Sequence, residues 1–307
     1  MSNPRLSGRT AADIEKQVEK LLRGLGNPEP PLDLRLVRDL LRLDRAYYSV
    51  SDESALRETV SRLKIAGAQI LGRPTLLLDA VRKLSLKALY LPDRKRILLD
   101  KSLPPLKHRW NEAHEIGHDL IPWHAGMMLG DTELTLTPAC HAQMEAEANY
   151  AAGQILFLGN RFRVEARDYD PGLQAIRALK TSFGNTLTTT LWRFVEQSDV
   201  PMVGLVTGHP HVLRRDEGFD PSAPCKHYVA SAMFLERFGT PDERALFDTV
   251  VGYCGAQKGG MLGEDECVLE DLRGKSHVFH FGTFFNRYQA LTLGVYLRHH
   301  SSGIIVS

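Results

Sequence analysis

Cysteine is scarce in this chain, and its four residues, Cys140, Cys225, Cys254 and Cys267, show no C-x-x-C spacing. A disulfide framework or a structural zinc knuckle is therefore not expected, and a reducing cytoplasm is the natural compartment. Net charge is nearly absent as well: 38 basic residues face 37 acidic ones, which leaves +1. No global field favours nucleic acid or a membrane surface. Long apolar runs are missing, and even Ala290–Leu297 is far too short to span a bilayer. The segment Met1–Gln17 is polar and holds no apolar signal-peptide core. What is present is ordinary globular material, 307 residues of which 43% are hydrophobic. That suffices for one large domain or a few small ones.

The stretch richest in chemistry is Trp110-Asn111-Glu112-Ala113-His114-Glu115-Ile116-Gly117-His118-Asp119-Leu120-Ile121-Pro122, which contains H-E-x-x-H. Residues four apart share one face of a helix, so His114 and His118 offer two imidazoles to one metal ion. Glu115 lies beside them, where a general base acting on water would stand. Ala113, Ile116, Gly117, Leu120 and Ile121 make an apolar stripe at helical spacing, and Pro122 ends it. Gly117 costs such a helix about 1 kcal/mol against Ala, a cost that a close packing partner would explain. The plainer reading is a surface helix with two histidines by accident, and context decides between the two.

Gln143–Leu156 predicts a second helix. Met144, Ala148, Ala151, Ala152 and Ile155 share one face, and the alanines allow another helix to come very near. A catalytic zinc takes three protein ligands and keeps one open position. Glu145 shares the inward edge with Ala148 and Ala152 and is the favoured third ligand. Glu147, two residues on at about 100° per residue, points nearly the other way and stays as the alternative. Its plainer reading is a solvated carboxylate. Asn149, four after Glu145, is placed to hydrogen-bond a ligand histidine, although a polar residue at a helix edge needs no such role.

Upstream, Ile14–Leu25, Asp33–Leu43, Ser51 to about Leu71, and Thr75–Lys83 read as helices. Lys87–Leu91 and Arg96–Asp100 flank Pro92-Asp93-Arg94-Lys95 and read as a β-hairpin, whose edge could hold an extended peptide. Downstream, Leu173–Phe183, Gly184-Asn185 and Thr186–Gln197 have the shape of helix, turn, helix. Between Arg161 and Gln197 six basic residues meet four acidic ones, so no basic stripe marks a DNA footprint. A structural hairpin docking onto the preceding domain is the favoured reading, with direct DNA binding the lesser one. From Val200 onward strands are expected at Met202–Val206, Val212–Arg214, His227–Met233, Cys267–Leu272, His277–Phe281 and Ala290–Leu297, with a helix near Pro241–Tyr253. His209, His211, His277 and His280 are better explained as strand-surface residues than as a second metal site.

Arg96-Ile97-Leu98-Leu99, Leu103-Pro104-Pro105, Arg109-Trp110, Ala113-His114-Glu115-Ile116-Gly117-His118 and Glu145-Ala146-Glu147-Ala148-Asn149-Tyr150-Ala151-Ala152 together resemble the ImmA/IrrE metallopeptidase family. The resemblance runs closely from about Tyr90 to Phe162 and weakly through Ala178–Arg193. Asn111-Glu112 and Tyr150-Ala151 depart from the family pattern, at no ligand position. The resemblance implies a gluzincin-like zinc endopeptidase with metal on His114, His118 and Glu145, Glu115 as general base, and a helix-turn-helix repressor as its protein substrate in a stress-response or mobile-element switch. Zinc in such a site polarises the scissile carbonyl and activates water. His108, His124, His141, Tyr150 and Arg163 lie near enough in sequence to stabilise an oxyanion, and nothing distinguishes them. Cys140 could add an inhibitory fourth ligand, but a half-buried thiol is the plainer reading.

The expected architecture is α+β. It comprises a zinc peptidase domain over 1–165 with helices and a small antiparallel sheet, a helical hairpin over 166–198, and a mainly antiparallel α+β regulatory domain over 199–307. The competing function is a non-enzymatic DNA-binding or ligand-sensing regulator with structural zinc. A structural zinc has no need of a glutamate between its two histidines, which favours the enzyme.

Overall fold

The computed structural model describes residues 6–48, 88–91, 95–124, 138–213 and 218–300. The helices expected at Ser51 to Leu71 and Thr75 to Lys83 lie outside the described residues, as do the side chains of Cys140 and His141. The chain is of mixed α+β class and divides into two compact units: Met1–Phe162 with Phe183–Asn185, and Arg163–Ser182 with Thr186–Ser307. Among the described residues no helix is long and apolar enough to cross a membrane.

The first unit opens with α1 (Gly8–Gly24), whose N-cap Ser7 accepts from the Thr10 amide at 3.0 Å. Its buried stripe is Ile14, Val18, Leu21 and Leu22, and it packs on the later helix α4 (Pro138–Leu156). Helix α2 (Leu34–Leu41) is capped by Asp33 and stops where Arg42 turns left-handed at φ 57. That turn converts the end of the expected Asp33–Leu43 helix into the entry of a strand, β1 (Asp44–Tyr48). Strands β2 (Ala88–Leu91) and β3 (Arg96–Asp100) pair antiparallel, with Ala88 opposite Leu99 and Leu91 opposite Arg96. β1 joins β3 in parallel from Asp44↔Arg96 to Tyr48↔Asp100, so β3 is central. The small sheet is therefore mixed, which corrects the expectation of a purely antiparallel one. Nothing in Asp44–Tyr48 marks it as a strand by alternation, and its partner lies some fifty residues on.

Helix α3 (Pro105–Leu120) begins with proline in its first turn, where the missing N–H costs no bond. It lies against β2 and β3. Glu112 on α3 is 3% exposed and receives Arg38 Nε at 2.6 Å and Arg45 Nη1 at 2.9 Å. One carboxylate thus ties α2 and β1 to α3. Arg109 holds the other side, donating to the Leu32 carbonyl at 2.7 Å. Phe157, Phe162 and Phe183 pack edge-to-face or tilted with centroids 4.7 to 5.9 Å apart, and Asn185 Nδ2 donates to the Leu156 carbonyl at 3.2 Å.

The second unit contains α6 (Leu173–Phe183, apart from Phe183), α7 (Leu187–Glu196) and a five-stranded antiparallel sheet. The short α5 (Arg161–Ala166) precedes α6. The strands are β4 (Met202–Thr207), β5 (His227–Ala230), β6 (Gly260–Glu270), β7 (Ser276–Phe285) and β8 (Ala290–His299), in the order β5-β4-β8-β7-β6. All six residues of β4 are buried, as a strand covered on both faces requires. Gly204 faces Leu191 and Val195 of α7. Val203 and Leu205 face a cluster with Phe234 and Phe238 of α9 (Ala232–Phe238) and Leu246 of α10 (Glu243–Tyr253). The two helices expected at Leu173–Phe183 and Thr186–Gln197 are present as α6 and α7, and α7 packs on β4, β5 and β8 of its own unit.

Three strand expectations are corrected. Of the expected Val212–Arg214 strand, Val212 and Leu213 instead belong to a helical turn, α8 (Pro210–Leu213), because the His209 carbonyl accepts from both their amides, and Arg214 lies outside the described residues. The His227–Met233 strand ends at Ala230, where Ser231 caps α9 by accepting from the Phe234 amide. β6 starts at Gly260, well before Cys267, since its exposed acidic edge carries no apolar alternation to announce it.

Glu112 provides the test of how the first unit is held. Removing one partner of a buried ion pair typically costs 3–5 kcal/mol, and the partial exposure of Arg38 and Arg45 puts this site at the low end, about 3 kcal/mol. Glu112→Ala should lower the urea midpoint of the first unit accordingly. A loss below about 0.5 kcal/mol, the scale of a surface pair, would show that the triad is passive.

Candidate metal centre

Helices α3 and α4 approach each other through their smallest residues. A Cβ added to Gly117 would stand 2.9 Å from the Ala148 carbonyl oxygen and 3.2 Å from Ala151 Cβ. Ala148, Ala151 and Ala152 are fully buried. The helix penalty of Gly117 is therefore offset by contact between two backbones.

That approach brings His114, His118 and Glu145 together, and their ligand atoms all lie within 4.8 Å of one another. His114 Nε2 is 3.3 Å from His118 Nε2 and 3.2 Å from Glu145 Oε2, while His118 Nε2 is 3.6 Å from Glu145 Oε1. Nitrogen and oxygen donors about 2.0–2.1 Å from one tetrahedral centre stand about 3.3–3.4 Å apart. The cluster matches that edge length, and the donor set is one that suits zinc. Three lone-pair bearers packed this closely need positive charge among them. The Glu145 side chain is 42% exposed, so this corner of the cluster is open to solvent. Among the described residues this is the one group of three or more histidine, cysteine or carboxylate side chains with such geometry.

The charges are tuned by the cluster itself. Burial works against the protonated His114 ring, but the hydrogen bond to Glu145 and the charges of Glu115 and Glu145 outweigh it and raise its pKa. Burial would raise the Glu145 pKa, yet its bonds to His114 and His118 hold it well below the usual carboxylate range. Glu115 is 6% exposed, and its charge acts on His114.

Each histidine is oriented through its other nitrogen. His114 Nδ1 is 3.1 Å from Asn149 Oδ1, an oxygen that only accepts, so Nδ1 donates and Nε2 faces the cluster. His118 Nδ1 stands 3.0 Å from His124 Nδ1, and His124 Nε2 stands 2.9 Å from Glu147 Oε2. Glu147 also accepts from Trp123 Nε1 at 2.6 Å and Gln143 Nε2 at 2.8 Å. Glu147, the alternative third ligand, thus lies outside the cluster and is 6% exposed. The pairing of His124 with Glu147 was not visible in the sequence. Its one signal was an E-x-E spacing with a second carboxylate facing away from the first.

The remaining candidates are committed elsewhere. His108 Nε2 bonds the Asp100 carbonyl at 2.7 Å, Tyr150 donates to Glu15 at 2.5 Å, and Arg163 pairs with Asp199 in the second unit. His209 and His211 bond the carbonyls of Gln257 and Cys254, His277 bonds Asp271, and His280 lies 3.7 Å from Glu264. Helix α7 buries Thr190, Leu191, Arg193, Phe194 and Val195, so these residues are not available to read DNA.

Gly117→Ala tests the geometry. Alanine is the better helix former by about 1 kcal/mol, yet the variant should be less stable and should bind zinc more weakly, because α3 and α4 must separate. Thermal unfolding with a parallel zinc titration reads both, and unchanged zinc affinity would show that the approach does not set the cluster.

Residues 70–194 match the M78 peptidase model described as the IrrE N-terminal-like domain, and the match spans His114, Glu115, His118, Glu145 and Asn149. No curated protein matches the chain. Among solved structures, a Mycobacterium tuberculosis protein described as a transcriptional regulator matches with a TM-score of 0.52 and 17% identity, covering 96% of this chain and 94% of that one. At that identity the likeness is one of fold. Residues 70–194 thus form a segment similar to the IrrE N-terminal-like domain of the M78 metallopeptidases.

Proposed function

We propose that the protein is a zinc-dependent endopeptidase of gluzincin type, with His114, His118 and Glu145 as metal ligands and Glu115 as general base. The observation that carries this reading is the spacing of the three donor atoms, 3.2 to 3.6 Å, on two helices locked by Gly117. A bound zinc ion would polarise the scissile carbonyl and lower the pKa of water. Glu115 takes the proton from the attacking water and passes it to the leaving amine. Its burial beside His114 suits a base that works out of bulk water. Glu145 adds negative charge to the ligand set, and Asn149 keeps His114 in one tautomer.

The proposed substrate is a cytoplasmic helix-turn-helix repressor whose cleavage switches on a stress-response or mobile-element programme, as the family resemblance implies. The transcriptional-regulator description of the M. tuberculosis protein is in keeping with such a setting. The second unit is proposed as the regulatory part. The non-enzymatic alternative, a DNA-binding or ligand-sensing regulator with structural zinc, gains nothing from α7, whose middle is buried in its own unit.

Glu115→Gln should keep one zinc per chain and reduce cleavage by roughly 10²–10⁴-fold. Mass spectrometry of new protein termini, in cells carrying wild type or the variant, identifies the substrate and tests the mechanism together. Equal accumulation of the same termini in both strains would reject the assignment of Glu115.

A further inference from the structure

We infer that His124 and Glu147 form a positioning relay that fixes the His118 tautomer and sets its strength as a metal donor. This rests on the reading of His118 as a ligand. A carboxylate has only lone pairs, so the 2.9 Å contact places a proton on His124 Nε2. In a neutral ring the other nitrogen, Nδ1, then accepts. Its 3.0 Å contact with His118 Nδ1 therefore requires the proton to sit on His118 Nδ1. That leaves the lone pair on His118 Nε2, the atom 3.3 Å from His114 Nε2 and 3.6 Å from Glu145 Oε1. Every hydrogen bond in the chain from Glu147 through His124 to His118 has one donor and one acceptor.

The two ligand histidines are thus oriented differently. His114 has a neutral amide behind it, whereas His118 has a carboxylate acting through a second imidazole. A carboxylate behind a ligand histidine orients the ring and raises its basicity. Glu147 is buried and accepts hydrogen bonds from Gln143, Trp123 and His124. His124 is fully buried, and with His118 Nε2 given to the metal the His118 Nδ1–H needs an acceptor, which the neutral His124 ring supplies. A buried carboxylate with three donors is an expensive way to fill space, and an apolar side chain would pack there at lower cost.

The test uses the full chain and zinc alone. His124→Ala and Glu147→Gln should each weaken zinc binding by about 10–100-fold, measured by competition with a chromophoric chelator. The visible spectrum of the Co²⁺-substituted protein should shift, a change that a packing defect remote from the metal does not produce. His124→Gln should recover most of the affinity, because its amide can donate to Glu147 and accept from His118. If the alanine variant fails to fold, Glu147→Gln carries the test. Wild-type affinity and spectrum in Glu147→Gln, with metal lost in His114→Ala, would overturn the relay and leave the metal site standing. Failure of the wild-type chain to bind zinc stoichiometrically would instead reject the site itself.

Discussion

The contact between Gly117 on α3 and Ala148 and Ala151 on α4 is the constraint on which the rest of the first unit depends. Two imidazoles one turn apart are set by α3 alone, but the carboxylate that completes the cluster belongs to α4. Only a backbone-to-backbone approach brings Glu145 within 3.2 Å of His114. The surrounding parts hold α3 at the proper place for that approach. Glu112 fastens it to α2 and β1 through Arg38 and Arg45, and Arg109 fastens it to the Leu32 carbonyl. These anchors sit on α3 at positions next to the motif, so the ion pair that stabilises the unit also positions the chemistry.

The same approach explains why polar groups are tolerated at the helix interface. His124 is fully buried and Glu147 nearly so, yet each has partners: His118 and Glu147 for the one, Trp123, Gln143 and His124 for the other. A closed set of donors and acceptors removes the penalty of burying them. It also leaves the exposed edge of the cluster to Glu145, whose side chain is the most open of the three donors' side chains.

Much of the cluster was legible in the sequence because its parts follow helix periodicity. His114, Glu115 and His118 lie within one turn and a third, and Glu145 and Asn149 follow from which side the alanines face. The Glu147–His124 pair was not legible, since it depends on how the chain turns at Ile121 after α3 and on where α4 meets it. The same limit explains β1, whose sequence Asp44-Arg45-Ala46-Tyr47-Tyr48 has no apolar alternation and which finds its parallel partner far along the chain. In the second unit β4, β7 and β8 were readable as apolar runs, while Gly260–Glu266 of β6, with two glycines and the acidic Glu264-Asp265-Glu266, was not. Val212 and Leu213 are apolar and β-compatible, but Pro210 and the His209 carbonyl turn them into a helical segment.

The central claim is that two helices assemble one tetrahedral site from His114, His118 and Glu145. An anomalous-difference map at the zinc edge, from crystals of the full chain grown with one equivalent of zinc, tests it most directly. The account predicts a single peak about 2.0–2.2 Å from both Nε2 atoms and from a Glu145 oxygen. No peak there, or a peak ligated by Glu147 instead, would contradict it.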